Sequence, residues 1–176
     1  MIDQTTKYGK LIRTFADFPI KGINFIDWMP VMYDAEALDA LVEDMLALVK
    51  DQKFTKVAGL ESRGFMVGIP IAKKLSVGFV PVRKKGKLPG PCIQQAYALE
   101  YGMDAIEIQE DAIKADDKVL VVDDLLATGG TMNAANKLIG KITKNITDLF
   151  FIELTDLDGK RFIDCPYYSL LKMTEK

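Results

Sequence analysis

Hydrophobic residues in this chain recur with two different periods, which predict alternating strands and helices. Short, almost unbroken apolar runs are typical of strands buried on both faces of a sheet, and they fall at 55–60, 77–82, 119–122, 148–154 and 167–171. Apolar positions at helical spacing predict helices over 5–15, 35–50, 65–75 and 131–142. Because parallel strands need helical crossovers, this alternation predicts an α/β fold, with a parallel-cored twisted sheet flanked by helices and a site at its carboxyl edge.

Two regions do not follow either period. Residues 17–27 are aromatic, rich in turn formers and aperiodic, which favours a loop or small flap outside the main sheet, or simply a packed connector. Residues 83–91 hold four cations, two glycines and two prolines and are not expected to form a regular element. Residues 94–99 and 105–108 could then pair as a hairpin with 100–103 near its tip.

Composition narrows the class of protein. With 176 residues and 49% hydrophobic content, the chain can bury one full core, so a single domain over 1–176 is expected. A net charge of −2 argues against a nucleic-acid partner. The N-terminus lacks a signal-peptide core and no apolar run approaches the ~20 residues that span a bilayer, so we expect a cytoplasmic protein with no membrane association. Cys92 and Cys165 are expected to be reduced thiols.

The chain contains no histidine, which excludes several kinds of chemistry. A His–carboxylate triad, a His-ligated zinc ion and an imidazole general base are all ruled out. A metal, if used, is expected to be a hard ion such as Mg²⁺ that arrives with phosphate groups.

The stretch 118–131 contains the strongest candidate chemistry. Asp123 and Asp124 follow the buried run 119–122, at the edge where α/β sheets bind ligands. The next residues are small enough to form an anion-binding turn at a helix N-terminus: Ala127, Thr128, Gly129, Gly130 and Thr131. The segment is neither a Walker A loop nor a dinucleotide fingerprint. From the residues alone, two interpretations are equally favoured. One is a phosphate pocket beside two acids, and the other is a turn capped by the aspartates with glycines that merely connect strand and helix.

The segment 121–131 closely resembles the phosphoribosyl pyrophosphate motif of type I phosphoribosyltransferases. The stretches 61–65, 83–90 and 99–102 are similar to the adenine-specific branch of that family, in the same order and at the same spacing. This resemblance implies conversion of adenine and phosphoribosyl pyrophosphate (PRPP) to AMP and pyrophosphate, with Mg²⁺, in a homodimer. It also implies an N-terminal hood at about 16–33 and a flexible catalytic loop at about 83–108.

The resemblance assigns roles to individual residues. Phosphoribosyl binding falls to Asp123, Asp124, Ala127, Thr128, Gly129, Gly130 and Thr131. Pyrophosphate binding falls to Ser62, Arg63, Gly64, Arg83 and Lys87. Adenine binding falls to Asn24, Phe25, Ile26, Arg63 and Leu125. Lys21 and Ile26 depart from the family pattern, which usually has Pro and a basic residue there.

Glu100 is the expected catalytic residue, because the resemblance places its carboxylate beside the purine imidazole edge. Without the resemblance it would be an ordinary exposed acid of a turn. Substitution of Glu107, further along the same region, is expected to do little.

Two other functions fit the same pattern less well. A purine transferase acting on hypoxanthine, guanine or xanthine would share the motif. A purine-responsive repressor of this fold would need a DNA-binding module, and the chain offers only one modest N-terminal helix and no basic recognition segment.

Overall fold

The computed structural model describes residues 5–99 and 102–174. Within these residues the strands are β1 Arg13–Ala16, β2 Asn24–Asp27, β3 Lys56–Leu60, β4 Gly78–Lys84, β5 Cys92–Leu99, β6 Gly102–Gln109, β7 Val119–Leu126, β8 Ile146–Leu154 and β9 Tyr167–Met173. The helices are α1 Met29–Met32, α2 Ala35–Ala47, α3 Arg63–Leu75 and α4 Gly130–Ile139, with short 3₁₀ segments at Gly9–Leu11, Thr155–Leu157 and Gly159–Phe162.

The main sheet confirms the predicted α/β fold. Its strand order is β5-β6-β4-β3-β7-β8-β9. The five neighbouring strands β4, β3, β7, β8 and β9 are parallel to one another. β7 lies inside the sheet and contributes side chains to two hydrophobic cores, one on each face. Leu120 and Val122 pack with residues of α2 and α3 on one face, whereas Val119 and Val121 pack with residues of α4 on the other. This two-sided burial explains the continuous apolar run in the sequence.

The predicted helix over 5–15 is wrong. Tyr8 and Ile12 are buried, as an amphipathic helix would require, but the chain forms a 3₁₀ turn at Gly9–Leu11 and then β1. β1 pairs with β2 in a separate two-stranded antiparallel sheet. A local pattern cannot reveal that pairing, because its partner lies beyond the 17–23 turn. The expectation that 17–27 stands outside the main sheet is confirmed.

The predicted hairpin is confirmed, and its base is more regular than expected. β5 and β6 pair antiparallel from Cys92 opposite Gln109 onward, and β6 pairs with the end of β4. Arg83 and Lys84 therefore belong to a strand and not to the irregular run, which is a correction. Glu107 explains the regularity, because its buried carboxylate accepts the backbone N–H groups of Lys87 and Leu88, both at 3.0 Å.

No helix among the described residues is both long enough and apolar enough to cross a membrane.

Candidate active site

The two acids lie within β7, which continues to Leu126, four residues beyond the predicted strand. Asp124 is buried and held by two donors. Its Oδ2 accepts the indole N–H of Trp28 at 2.6 Å and lies 3.0 Å from Nε of Arg63. The carboxylate is therefore fixed in position, with its charge balanced by the guanidinium.

Asp123 faces a different environment. Its Oδ1 accepts the backbone N–H of Asp124 at 3.0 Å, and its side chain lines two adjoining clefts. Burial, reinforced by the neighbouring Asp124 carboxylate, raises the pKa of Asp123 well above its usual value. A ligand that brings positive charge or hydroxyl donors would stabilise the ionised form of Asp123.

The first cleft, of about 80 Å³, is formed by the predicted phosphate loop. Gly129 has φ +80° and is the residue from which α4 starts, so the loop ends at a helix N-terminus whose first N–H groups have no partner within the helix. Its lining includes all five predicted loop residues: Ala127, Thr128, Gly129, Gly130 and Thr131. The structure therefore brings the loop and Asp123 together around one small polar space.

The phosphate loop rests directly on the backbone of Gly159. A Cβ on Gly129 would lie 2.3 Å from the carbonyl oxygen of Gly159, and a Cβ on Gly159 would lie 2.1 Å from that of Ala127. Neither glycine could carry a side chain without displacing backbone. Gly159 was not among the predicted site residues, and its only signal in the sequence is an Asp-Gly pair 30 residues after Gly129.

The second cleft, of about 370 Å³, joins the acids to the 61–64 loop and the N-terminal flap. It is lined by Phe25, Glu61, Ser62, Arg63, Asp123, Asp124, Leu125 and Ala127. The Arg63 guanidinium lies 5.5 Å from the Phe25 ring centroid. Gly64 allows the first turn of α3 to lie against β7 beside the cleft, because a Cβ there would lie 2.7 Å from the carbonyl oxygen of Val122.

The flap contributes one of its predicted adenine ligands to this lining. Phe25 is half-buried and meets the Phe18 ring edge-on at 5.1 Å. The side chain of Ile26 packs in the core, and neither Ile26 nor Asn24 is among the lining residues. A ligand in the cleft would thus meet the ring of Phe25 but not the side chain of Ile26.

The predicted pyrophosphate ligands separate into two groups. Ser62 and Arg63 line the second cleft, and Gly64 adjoins it. Arg83 instead forms a two-pronged pair with Glu61, with distances of 3.2 Å from Nε and 3.1 Å from Nη2, and this pair lowers the pKa of Glu61. Lys87 is exposed on the turn after β4, and its carbonyl accepts Nη1 of Arg83.

Glu100 lies outside the described residues. Glu107 does not resemble the inert acid that was expected, since it is buried and also accepts the Gln94 side-chain amide at 3.1 Å. Glu107 holds the turn that carries Lys87, which makes it unsuitable as a neutral control.

Comparison with known proteins agrees with this geometry. The phosphoribosyl transferase domain family matches residues 32–144. The chain is 47% identical to an adenine phosphoribosyltransferase of Shewanella pealeana, over 93% of this chain and 90% of that protein. It is 49% identical to one of Halothermothrix orenii, over 88% of this chain and 92% of that protein.

Solved structures show the same likeness. An adenine phosphoribosyltransferase of Rhodothermus marinus aligns with a TM-score of 0.87 at 43% identity, covering 94% of this chain and 96% of that one. The Saccharomyces cerevisiae enzyme, complexed with an imino-altritol bisphosphate and adenine, aligns with a TM-score of 0.89 at 37% identity, covering 94% and 97%. The fold and site define a type I phosphoribosyltransferase. The chain belongs to that family, in its adenine phosphoribosyltransferase branch.

Proposed function

We propose that this protein transfers the phosphoribosyl group of PRPP to adenine, giving AMP and pyrophosphate. The observation that carries the proposal is the junction of the two clefts at Asp123, one formed by the glycine loop at the start of α4 and the other by Arg63, Asp124 and Phe25. A ligand with a phosphate at one end, a sugar in the middle and a planar base at the other matches that order. The names of the relatives support adenine as the base.

The reaction separates charge, and the site is arranged for it. As the bond from C1′ to pyrophosphate lengthens, the ribose ring gains positive character, which Asp123 and Asp124 stabilise. The leaving pyrophosphate gains negative charge. The Arg63 guanidinium stabilises this charge because two of its N–H groups can donate to phosphate oxygens at once. Attack by adenine N9 on the opposite face of C1′ inverts that carbon.

The proposal assigns each part of the substrates to residues. Residues 127–131 hold the 5′-phosphate, the two acids hold the ribose hydroxyls, and Phe25 and Leu125 sandwich adenine. Ser62, Arg63 and Gly64 meet the pyrophosphate, joined by Lys87 and Arg83. To bind pyrophosphate, Arg83 would have to leave the Glu61 carboxylate and donate to a pyrophosphate oxygen instead. Before the sugar donor binds, Glu61 keeps the Arg83 side chain near the cleft.

Magnesium enters this proposal together with the sugar donor. Among the described residues no group of three or more acidic, cysteine or histidine side chains could hold a metal ion. As the resemblance implies, the ion would be ligated by pyrophosphate and ribose oxygens of the donor and by no side chain directly, while Asp123 and Asp124 hold the ribose hydroxyls. Bound in that way, magnesium would neutralise charge on the leaving group.

Glu100 is proposed to exchange a proton with the imidazole ring of adenine as N9 joins C1′. General acid–base help of this kind contributes about 10² to 10⁴-fold. Glu100→Gln should therefore lower kcat far more than it raises either KM, measured in single-turnover reactions. Glu110→Gln is the matched control, since Glu110 is exposed and near the other end of the same hairpin. Equal small effects at both positions would remove Glu100 from the mechanism.

The proposal also includes a homodimer in the cytoplasm. Tyr33 and Ile69 are 79% and 52% exposed, which suits apolar side chains covered by a second copy. Cys92 and Cys165 are both free thiols, as a reducing compartment favours. Sedimentation at micromolar concentration would test the dimer, and a single species with the mass of one chain would refute it.

One assay tests the activity directly. Purified protein with labelled adenine, magnesium and PRPP should form AMP, and the double variant Asp123→Asn/Asp124→Asn should not, although it folds. No AMP from the parent protein would refute the proposal. A kcat/KM for hypoxanthine close to that for adenine would assign the chain to the hypoxanthine- and guanine-specific transferases, because a site built to pair one base edge rejects the other by roughly 10⁴-fold.

A further inference from the structure

One buried carboxylate holds the turn at residues 84–88, which follows β4. Oε1 of Glu107, on β6, accepts the backbone N–H groups of Lys87 and Leu88, both at 3.0 Å. Oε2 of Glu107 accepts the Gln94 side-chain amide at 3.1 Å. Glu107 is 2% exposed, and its strand lies between β4 and β5. The carboxylate therefore reaches the turn from inside the sheet.

The charge of Glu107 strengthens these hydrogen bonds. Burial by itself would raise the pKa of this carboxyl group, but the donated backbone N–H groups and the Gln94 amide outweigh burial, so the pKa of Glu107 lies below its usual value. The group is thus an anion at neutral pH. Hydrogen bonds to an ionised acceptor are roughly twice as strong as neutral ones, and an unpaired buried carboxylate is costly. Both effects keep the turn in place.

Hydrogen bonds, and not apolar packing, determine where Lys87 lies. The backbone N–H of Lys87 also reaches the carbonyl oxygen of Lys84 at 3.2 Å, which closes a β-turn. Gly86 has φ +81° at the third position of that turn, where a type II turn requires a positive φ. Residues 85–87 are all exposed. The contact with Glu107 is therefore the main link between this part of the turn and the protein interior.

The turn region carries the two cations that the proposed function assigns to pyrophosphate, and they are held differently. The Arg83 guanidinium is paired with Glu61, whereas the Lys87 ammonium forms no ion pair within the described part of the chain. The carbonyl oxygen of Lys87 accepts Nη1 of Arg83 at 3.1 Å. The pKa of Glu61, which lines the second cleft, is lowered first by its bond to Arg83 and further by the charge of Lys87. Lys87 is thus a cation beside the cleft that can bind an anion without first leaving a carboxylate.

We propose that Glu107 is a positioning residue for pyrophosphate, which fixes the turn so that Lys87 lies beside the second cleft before the sugar donor binds. The inference rests on the proposed function, in which Lys87 binds pyrophosphate. Fixing a backbone segment in advance strengthens binding, because its conformational entropy is lost on folding and not on association. Glu107 is buried behind the turn, so its effect on binding passes through Lys87.

Calorimetric titration with magnesium pyrophosphate tests this role through a double-variant cycle. The affinity should fall roughly tenfold in Glu107→Ala and by at least as much in Lys87→Ala. The variant with both substitutions should bind no more weakly than Lys87→Ala alone, because Glu107 then has no cation to position. Glu107→Gln should stay within about threefold of the parent, since its amide oxygen can still accept both backbone N–H groups. In the enzymatic assay, Glu107→Ala should raise KM for PRPP and leave kcat unchanged.

Asp117→Ala is the matched control. Asp117 is also a buried acid that accepts a backbone N–H group, from Lys114 at 2.7 Å. It precedes β7, at the amino edge of the parallel strands and opposite the site. This variant should lower the melting temperature and leave the affinity for magnesium pyrophosphate unchanged.

The outcomes separate the inference from the function beneath it. Full affinity in Glu107→Ala, or additive losses in the double variant, would overturn the positioning role while Lys87 keeps its assignment. Unchanged affinity in Lys87→Ala would remove that assignment and the inference with it. A parent protein that neither binds pyrophosphate nor makes AMP would refute the proposed function itself.

Amide exchange in the parent protein decides the case if Glu107→Ala does not fold. The amides of Lys87 and Leu88 should exchange roughly tenfold or more slowly than those of an unstructured peptide with the sequence of residues 83–91, although the turn is exposed. Exchange at the rate of the peptide would show that Glu107 does not hold the turn and would overturn the inference.

Discussion

Because Trp28 donates a hydrogen bond to Asp124, this buried residue both fixes the carboxylate and can report on ligand binding by its fluorescence. Trp28 is 1% exposed and is the only tryptophan in the chain. Its indole N–H reaches an oxygen of the carboxylate that we assign to ribose. Any ligand that shifts Asp124 must therefore change the surroundings of the indole ring.

We expect the fluorescence of the parent protein to change when PRPP and magnesium bind. Trp28→Phe should lose the signal, lower the free energy of unfolding by about 1–3 kcal/mol through loss of a buried bond to a charged group, and weaken donor binding. Titration calorimetry provides the independent measure of binding. Full donor binding with no change in Trp28 emission would show that the ligand does not reach Asp124.

A second buried acid should make stability depend on pH. Asp148 of β8 is fully buried, and burial raises its pKa to about 7. Its Oδ2 accepts the Asn136 amide at 2.7 Å, whereas Oδ1 and the Asn136 carbonyl oxygen have no hydrogen-bond partner. Between pH 4 and pH 7 the folded protein keeps a proton that the unfolded chain releases, so stability falls as pH rises through this window.

Asp148→Asn should remove the share of that dependence that Asp148 contributes, leaving the share due to Asp123, whose pKa is also raised. Because the new amide is always neutral and can donate to Asn136, the variant should exceed the parent by roughly 1–4 kcal/mol in unfolding free energy at pH 8. Near pH 4 the two should be similar. Urea titrations at both pH values measure the difference, with Asp164→Asn as an exposed control near the same region. A parent curve that is flat over this window would contradict the raised pKa.

At the scale of elements, the phosphate loop and the 3₁₀ segment Gly159–Phe162 form one unit. Their backbones approach closely at Gly129 and Gly159, so the fit there depends on the absence of a side chain at both residues. Contacts of this kind do not adapt by changing a rotamer. A methyl group must move one of the two segments.

Gly159→Ala should therefore damage phosphate binding more than folding. A Cβ placed 2.1 Å from the carbonyl oxygen of Ala127 pushes the loop toward the ligand, so we expect KM for PRPP to rise at least tenfold, a loss of about 1.4 kcal/mol. Lys160→Ala, next in sequence and exposed, should leave KM unchanged. Steady-state kinetics at saturating adenine distinguishes them, and equal KM values would show that the loop tolerates displacement.

The local hydrophobic pattern predicted the elements that have a strong, unambiguous period. It failed where pairing with a distant strand determines the secondary structure. β7, α2 and the hairpin follow from their own residues, because each buries a continuous run, a stripe or alternate positions. The segment 5–15 has apolar residues at Tyr8 and Ile12 that fit a helix equally well, and only the pairing of Arg13–Ala16 with Asn24–Asp27 decides against it.

For the molecule as a whole, the sequence predicted the candidate site residues but not the residues that hold them in place through hydrogen bonds. The motif residues come together at the carboxyl edge of the parallel strands, as that topology requires. Their partners come from remote parts of the chain. Trp28 is 96 residues from Asp124, and Glu61 is 22 from Arg83. Such contacts leave no trace in spacing or composition, because only the completed fold brings the two groups together.

The contact between Gly159 and the phosphate loop sets an order of events during synthesis. A growing chain carries both acids and all five loop residues well before Gly159 is added, yet the surface that supports the loop does not exist until then. The loop is therefore expected to reach its final conformation only after Gly159 has been added, later in synthesis than the residues that form the loop itself.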